Sequence, residues 1–239
     1  MEKREYHVKL KFTTPVLGTS NTSSFYLQKN REEIEKLRRE LEKHGIDAQV
    51  GDAEDGLEAI EEIGKKMTVF RRDEKGNPIL LGYMIKGFLK TATATLDLFM
   101  KAKRGKKEPE PLSEYMVKKV IDLHFFPTYQ IHFLDEKGEI ITDSLVKVFE
   151  RPLRGMTAQG ERVTIAISEM IEPPCFIEFD ITCVMPEKVE KLLPQFSGND
   201  PILQYLREAF LYGEYCGIGQ FRSGQFGRFV IQELRKNEA

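Results

Sequence analysis

The chain has no tryptophan, only three cysteines and only four histidines, and it has no long apolar run. No stretch approaches the roughly 20 apolar residues that a membrane-spanning helix requires, so no membrane partner is expected. The opening residues, Met1-Glu2-Lys3-Arg4-Glu5, are charged and lack the apolar core of a secretory signal. Cys175, Cys183 and Cys216 show no metal spacing, and an odd number argues for free thiols in a reducing, cytoplasmic setting. His7, His44, His124 and His132 are scattered, with no partner at zinc-ligand spacing. The serines lack a nucleophile-elbow pattern. The expectation is therefore no enzyme, no metal and no cofactor. A metal-dependent nuclease would have to rest on acids such as Asp52, Glu54 and Asp55, and acidic surface loops ordinarily bind no metal.

Neither sign of charge dominates: 36 basic residues face 38 acidic ones, for a net charge of -2. Nucleic-acid binders are more often basic. Here, however, the acids cluster between residues 32 and 62 and leave a positive balance elsewhere. A length of 239 residues, 41% hydrophobic and 31% charged, fits one elaborated globular domain over 1–239.

The most distinctive stretch is Gly217-Ile218-Gly219-Gln220-Phe221-Arg222-Ser223-Gly224-Gln225-Phe226-Gly227-Arg228-Phe229. Glycine admits positive φ and close backbone approach. Arginine carries a permanently charged planar fork that suits phosphate, and phenylalanine offers a face for a base. No Lys-Ser or Lys-Thr pair follows the glycines, so this is not a Walker loop. Nor does it open a helix after an early strand, as a dinucleotide loop does. Two readings stand at this point: a loop that touches nucleic acid, or a geometric turn whose phenylalanines belong to the core.

Residues 6–12 alternate with period two and predict a half-buried strand. Charged helical patterns at 31–44 and around 57–63 read as a helical insertion over 31–66. Residues 68–81 form two extended arms about a turn. Helical spacing over 84–96 carries Gly87, which costs ~1 kcal/mol against alanine and so suggests close approach of another backbone or a ligand. A mobile basic linker is expected at 101–111 and a helix at 113–123. Strands follow at 129–134, 146–149, 163–167 and 176–182, with a protruding hairpin at 150–161. Pro186 opens a helix, and Asp200-Pro201 caps another that runs to about Tyr212. The fold class is α+β: a ferredoxin-like (RRM-like) βαββαβ core with helical and β-hairpin insertions. In such a core the last strand lies beside the first, with the glycine loop near the first strand and the helix after it.

Three motifs in order resemble the RAMP (repeat-associated mysterious protein) superfamily, which includes the backbone subunits of CRISPR effector complexes. They are the first strand with Pro15-Val16-Leu17-Gly18, the helix opening centred on Ile85-Lys86-Gly87-Phe88-Leu89-Lys90, and the loop Gly217–Phe229. Arg162 with the stretch 171–179 is similar to the strand pair of those subunits. The family's serines before the lysine are replaced by Gly82-Tyr83-Met84-Ile85. The chain is also similar to prophage proteins that share the Lys-Gly-Phe and glycine-loop motifs. The resemblance implies a non-catalytic protein that binds single-stranded RNA and self-associates along it as a homo-oligomer or ribonucleoprotein subunit. The alternative is a phage single-stranded DNA-binding protein or a decoy for a CRISPR complex. It implies phosphate contacts from Lys86, Lys90, Arg222 and Arg228, with Phe221 beside them and Gly217, Gly219, Gly224 and Gly227 admitting the strand. Arg151 and Arg154 would sit on a thumb-like hairpin. Some relatives cut RNA with an aspartate after the first strand; residues 13–30 contain no acid, so cleavage there is not expected.

Overall fold

The computed structural model describes residues 2–21, 67–103, 114–157, 160–193, 196 and 198–238. The strands are β1 (Lys3–Phe12), β2 (Val16–Leu17), β3 (Ser20–Asn21), β4 (Met67–Val69), β5 (Arg71–Arg72), β6 (Pro78–Leu81), β7 (Phe125–Pro127), β8 (Gln130–Leu134), β9 (Lys147–Thr157), β10 (Gly160–Ile171), β11 (Cys175–Val184) and β12 (Phe229–Lys236). The helices are α1 (Gly82–Lys103), α2 (Glu114–His124), α3 (Pro186–Lys191) and α4 (Pro201–Leu211). The fold is α+β, and the chain divides into two compact units.

The first unit comprises residues 1–16, 71–145 and 171–239. Its sheet runs β12-β1-β11-β8-β6-β5, with β7 also on β11, and every pairing is antiparallel. The alternation of β1 sorts its faces: Tyr6, Val8, Leu10 and Phe12 are fully buried. They meet the apolar stripes of α1 (Ile85, Phe88, Leu89) and α4 (Ile202, Leu206, Phe210), also buried. Phe88 stacks on Phe210 at 5.9 Å and meets the edge of Phe229 at 5.0 Å. Burying each such ring stabilises by about 1.5–3 kcal/mol. Asp200 caps α4, accepting from the Leu203 amide at 2.9 Å, while the Tyr6 hydroxyl donates to the same carboxylate at 3.1 Å. The cap is thus tied to the central strand.

Several expectations change here. Residues 101–103 belong to α1 and not to a linker, because the helical spacing continues past the expected end. Among the described residues a Cβ at Gly87 would meet nothing within 4 Å; the close approach is at Gly82, where a Cβ would lie 2.4 Å from the Thr128 carbonyl oxygen. The insertion at 31–66, the remaining linker at 104–111 and the acids at 52–62 lie outside the described residues. Among the described residues, no helix is long and apolar enough to cross a membrane.

The second unit comprises residues 17–70 and 146–170. Its sheet runs β2-β10-β4-β3 with β9 on β10, and β10 and β4 are parallel. Gly18 is required here: a Cβ would lie 2.4 Å from the Val69 carbonyl carbon. The buried Glu169 carboxylate accepts from the Phe70 amide at 2.7 Å. The hairpin of β9 and β10 spans 147–171, longer than the expected 150–161, because β-forming residues continue on both arms.

Candidate nucleic-acid interface

The glycine loop follows α4 and a short 3-10 turn at Tyr212–Glu214, and runs into β12. Backbone hydrogen bonds close it. The Ile218 amide donates to the Gly227 carbonyl at 2.9 Å, and the Gly227 amide donates to the Pro15 carbonyl at 2.7 Å. The Thr13 amide donates to the Arg228 carbonyl, and the Arg228 amide to Thr14 Oγ1, both at 2.8 Å. The loop is therefore clamped to the end of β1. Gly227 takes φ +71° and Gly219 +102°. A Cβ at Gly217 would lie 2.1 Å from the Phe226 carbonyl oxygen, and one at Gly227 only 1.9 Å from that of Ile218. Gly217 and Gly227 are thus demanded by the loop's own closure. Gly224 lies under the Phe221 ring, and Phe221 packs on Phe226 at 5.5 Å. Phe229 is core.

Arg222 is exposed on a 3-10 turn of the loop, and its guanidinium reaches Cys216 Sγ at 4.0 Å. Arg228 is half-buried, and its Nε is shielded from solvent without a hydrogen-bond partner among the described residues. Neither guanidinium meets a carboxylate among the described residues. Lys11, opposite Val230 on β12, adds a third cation at this end and lies 5.8 Å from the centre of the Phe176 ring. Sequence reasoning missed Lys11 and Phe176; the polar phase of β1 was visible, but not which end of it faces the loop.

Lys86 and Lys90 are elsewhere. Lys86 Nζ donates to the Asp122 carbonyl at 3.1 Å and lies 4.4 Å from the centre of the Phe126 ring. Burial lowers its pKa, against the attraction of Asp122. Lys90 pairs with the Asp122 carboxylate at 2.6 Å. Phe126 opposes Thr182, which opposes Glu5. Glu5 is seven residues from Phe12, about 23 Å at strand rise. The structure therefore places Arg222 and Arg228 on the loop clamped to the end of β1 that carries Lys11, and sets Lys86 and Lys90 at the other end of the sheet. Arg151 and Arg154 belong to the second unit, opposite Ala166 and Val163 in the hairpin.

The sheet face turned away from α1 and α4 is largely charge-balanced. Lys9 pairs with Glu178 at 3.0 Å, and His7 lies 3.1 Å from Asp180. Near the β6–β8 edge, Asp73 accepts from His132 Nε2 at 3.0 Å and from the Asn77 amide at 2.8 Å. Burial raises the Asp73 pKa, but hydrogen bonds from Asn77, His132 and the Lys75 amide outweigh it and hold the carboxyl at about 2. These residues line a pocket of about 320 Å³ with Gln130 and Ile140. The pairing of His132 with Asp73 was invisible in the sequence, where the two are 59 residues apart. Among the described residues, no group of three or more His, Cys, Asp or Glu side chains could hold a metal.

No family model matches the chain, and no curated protein does. A solved structure does match: a chain of the Type III-B Cmr-beta complex bound to cognate target RNA, determined by cryo-electron microscopy. The TM-score is 0.51 at 12% identity over 98% of this chain. This chain spans 61% of that chain's length. At this identity the likeness establishes a shared fold.

Proposed function

We propose that this protein is a non-catalytic, RAMP-like subunit that binds single-stranded RNA through its phosphates and self-associates along the strand. The observation that carries the reading is the clamped loop: Arg222 and Arg228 stand on a preformed scaffold fixed to the end of the strand that carries Lys11, and no carboxylate neutralises any of the three among the described residues. Permanently charged forks positioned in advance lose little freedom on meeting a phosphate. The strand order β12-β1-β11-β8 supports a ferredoxin-like core, since it is the 4-1-3-2 order of βαββαβ with β6 and β5 added at one edge. The fold shared with a chain of an RNA-bound CRISPR complex supports the RNA and ribonucleoprotein partnership. The ion-paired stretch of the sheet face does not favour phosphate, so contacts concentrate at the loop end. Contacts of this kind read the backbone and not the sequence.

The test is fluorescence anisotropy with matched RNA and DNA 20-mers at low salt. Tighter RNA binding, weakened together by Arg222→Ala and Arg228→Ala, supports the reading. Equal or tighter DNA binding favours a single-stranded DNA-binding role, since only RNA offers a 2′-hydroxyl. Absence of binding to either strand contradicts both.

A further inference from the structure

Near the start of α1, where Lys86 meets α2 and the Phe126 ring, three exposed rings stand on neighbouring backbone. Tyr83 is 63% exposed, Phe126 46% and Tyr129 71%. The backbone brings them to one place. The Gly82 amide donates to the Tyr129 carbonyl at 2.9 Å, so the residues bearing the two tyrosines start from neighbouring backbone. Lys86 stands one helical turn after Tyr83, on the same side of α1, and its ammonium lies over Phe126. None of the three rings contacts another ring among the described residues. Leu123, 56% exposed, flanks them at the end of α2. Exposed large apolar side chains gathered in one patch mark a contact surface.

We propose that Tyr83, Phe126 and Tyr129 form a platform on which unpaired bases stack, a second contact for the strand whose phosphates the glycine loop holds. This rests on the RNA-binding reading above. Charge selects the occupant. Lys90 takes the Asp122 carboxylate while Lys86 meets only the Asp122 backbone carbonyl and the Phe126 ring, so among the described residues the ammonium over that ring pairs with no carboxylate and complements a phosphate. A lysine over a ring, next to rings with open faces, is the combination that single-strand binders use, and every base has a face to offer it. The platform and the loop lie at opposite ends of β1, and the site sizes of such binders, about 4–16 nucleotides, cover that distance.

The test compares a 20-nucleotide RNA with the same strand made abasic throughout, against the wild type and the alanine variants of Tyr83, Phe126 and Tyr129. All three side chains are exposed enough to be removed without unfolding, which circular dichroism checks. Each variant is expected to bind the normal strand about 5- to 140-fold more weakly. The abasic strand is expected to bind the wild type weakly and to lose nothing further in the variants. The slope of affinity against salt is expected to stay unchanged. Variants that bind the normal strand like the wild type overturn the platform; if they also shift the protein's elution volume, the patch is a protein contact instead. Variants that weaken normal and abasic strands equally overturn it too. A wild type that binds neither strand overturns the RNA-binding reading itself.

Discussion

Gly227→Ala probes whether the loop's shape is fixed by the chain itself. At φ +71° the residue is in the left-handed region, which costs a non-glycine about 1–2 kcal/mol. The added Cβ would lie 1.9 Å from the Ile218 carbonyl oxygen, and that atom is backbone that cannot rotate away. Relief requires the loop to open at the point where Gly227 bonds both Ile218 and Pro15. Each hydrogen bond contributes about 1 kcal/mol net. The sum is a destabilisation of about 3–4 kcal/mol, a large part of the 5–15 kcal/mol typical of folded proteins. Urea denaturation followed by circular dichroism measures it. With a slope of about 1–3 kcal/mol per molar, the midpoint falls by 1 M or more. Gly224→Ala is the control, because its obstacle is the Phe221 ring, which can turn aside. RNA affinity at low urea should fall for the first variant more than for the second. A Gly227→Ala protein with a wild-type midpoint and wild-type RNA affinity would refute the reasoning.

Other outcomes follow from separate parts of the molecule. Asp200→Ala removes both the α4 cap and the acceptor of the Tyr6 hydroxyl, and should lower stability by about 1–3 kcal/mol by calorimetry or urea melts. Burial pushes the thiols of Cys175 and Cys183 up to about 12, whereas Cys216 is half-buried. A thiol reagent at neutral pH should therefore label Cys216 in the native protein and all three cysteines in denaturant. The Asp73 carboxyl is depressed from 3.8 to about 2, so its ionised form is the one the fold stabilises. That contribution is fully present above about pH 4 and is lost as pH falls through 2. The acid limb of a stability profile should consequently flatten in Asp73→Asn.

The fold was more legible in the sequence than the site. Period-two alternation in β1 and the Asp200-Pro201 cap carry their own geometry, and both appear where expected. The glycine loop was also found, because glycines required by backbone collision cannot be replaced. What the sequence did not convey was which cations remain uncommitted. Lys86 and Lys90 stand beside a glycine on a helix, yet both turn to Asp122, some 30 positions away. Gly87 invited a close approach that Gly82 makes instead. Lys11, by contrast, looked like one more polar residue of a strand, and only the pairing with β12 puts it at the loop. The division into two units was equally hidden, because the second is assembled from segments on either side of α1 and α2.

The most direct test of the central claim is a salt titration of single-stranded RNA binding by anisotropy, comparing the wild type with Arg222→Ala, Arg228→Ala and the double variant. Binding at low salt is expected, with its logarithm falling linearly with that of salt and each arginine removed reducing the slope by about 0.7. Salt-insensitive binding, a double variant with the wild-type slope, or no binding at low salt would contradict it.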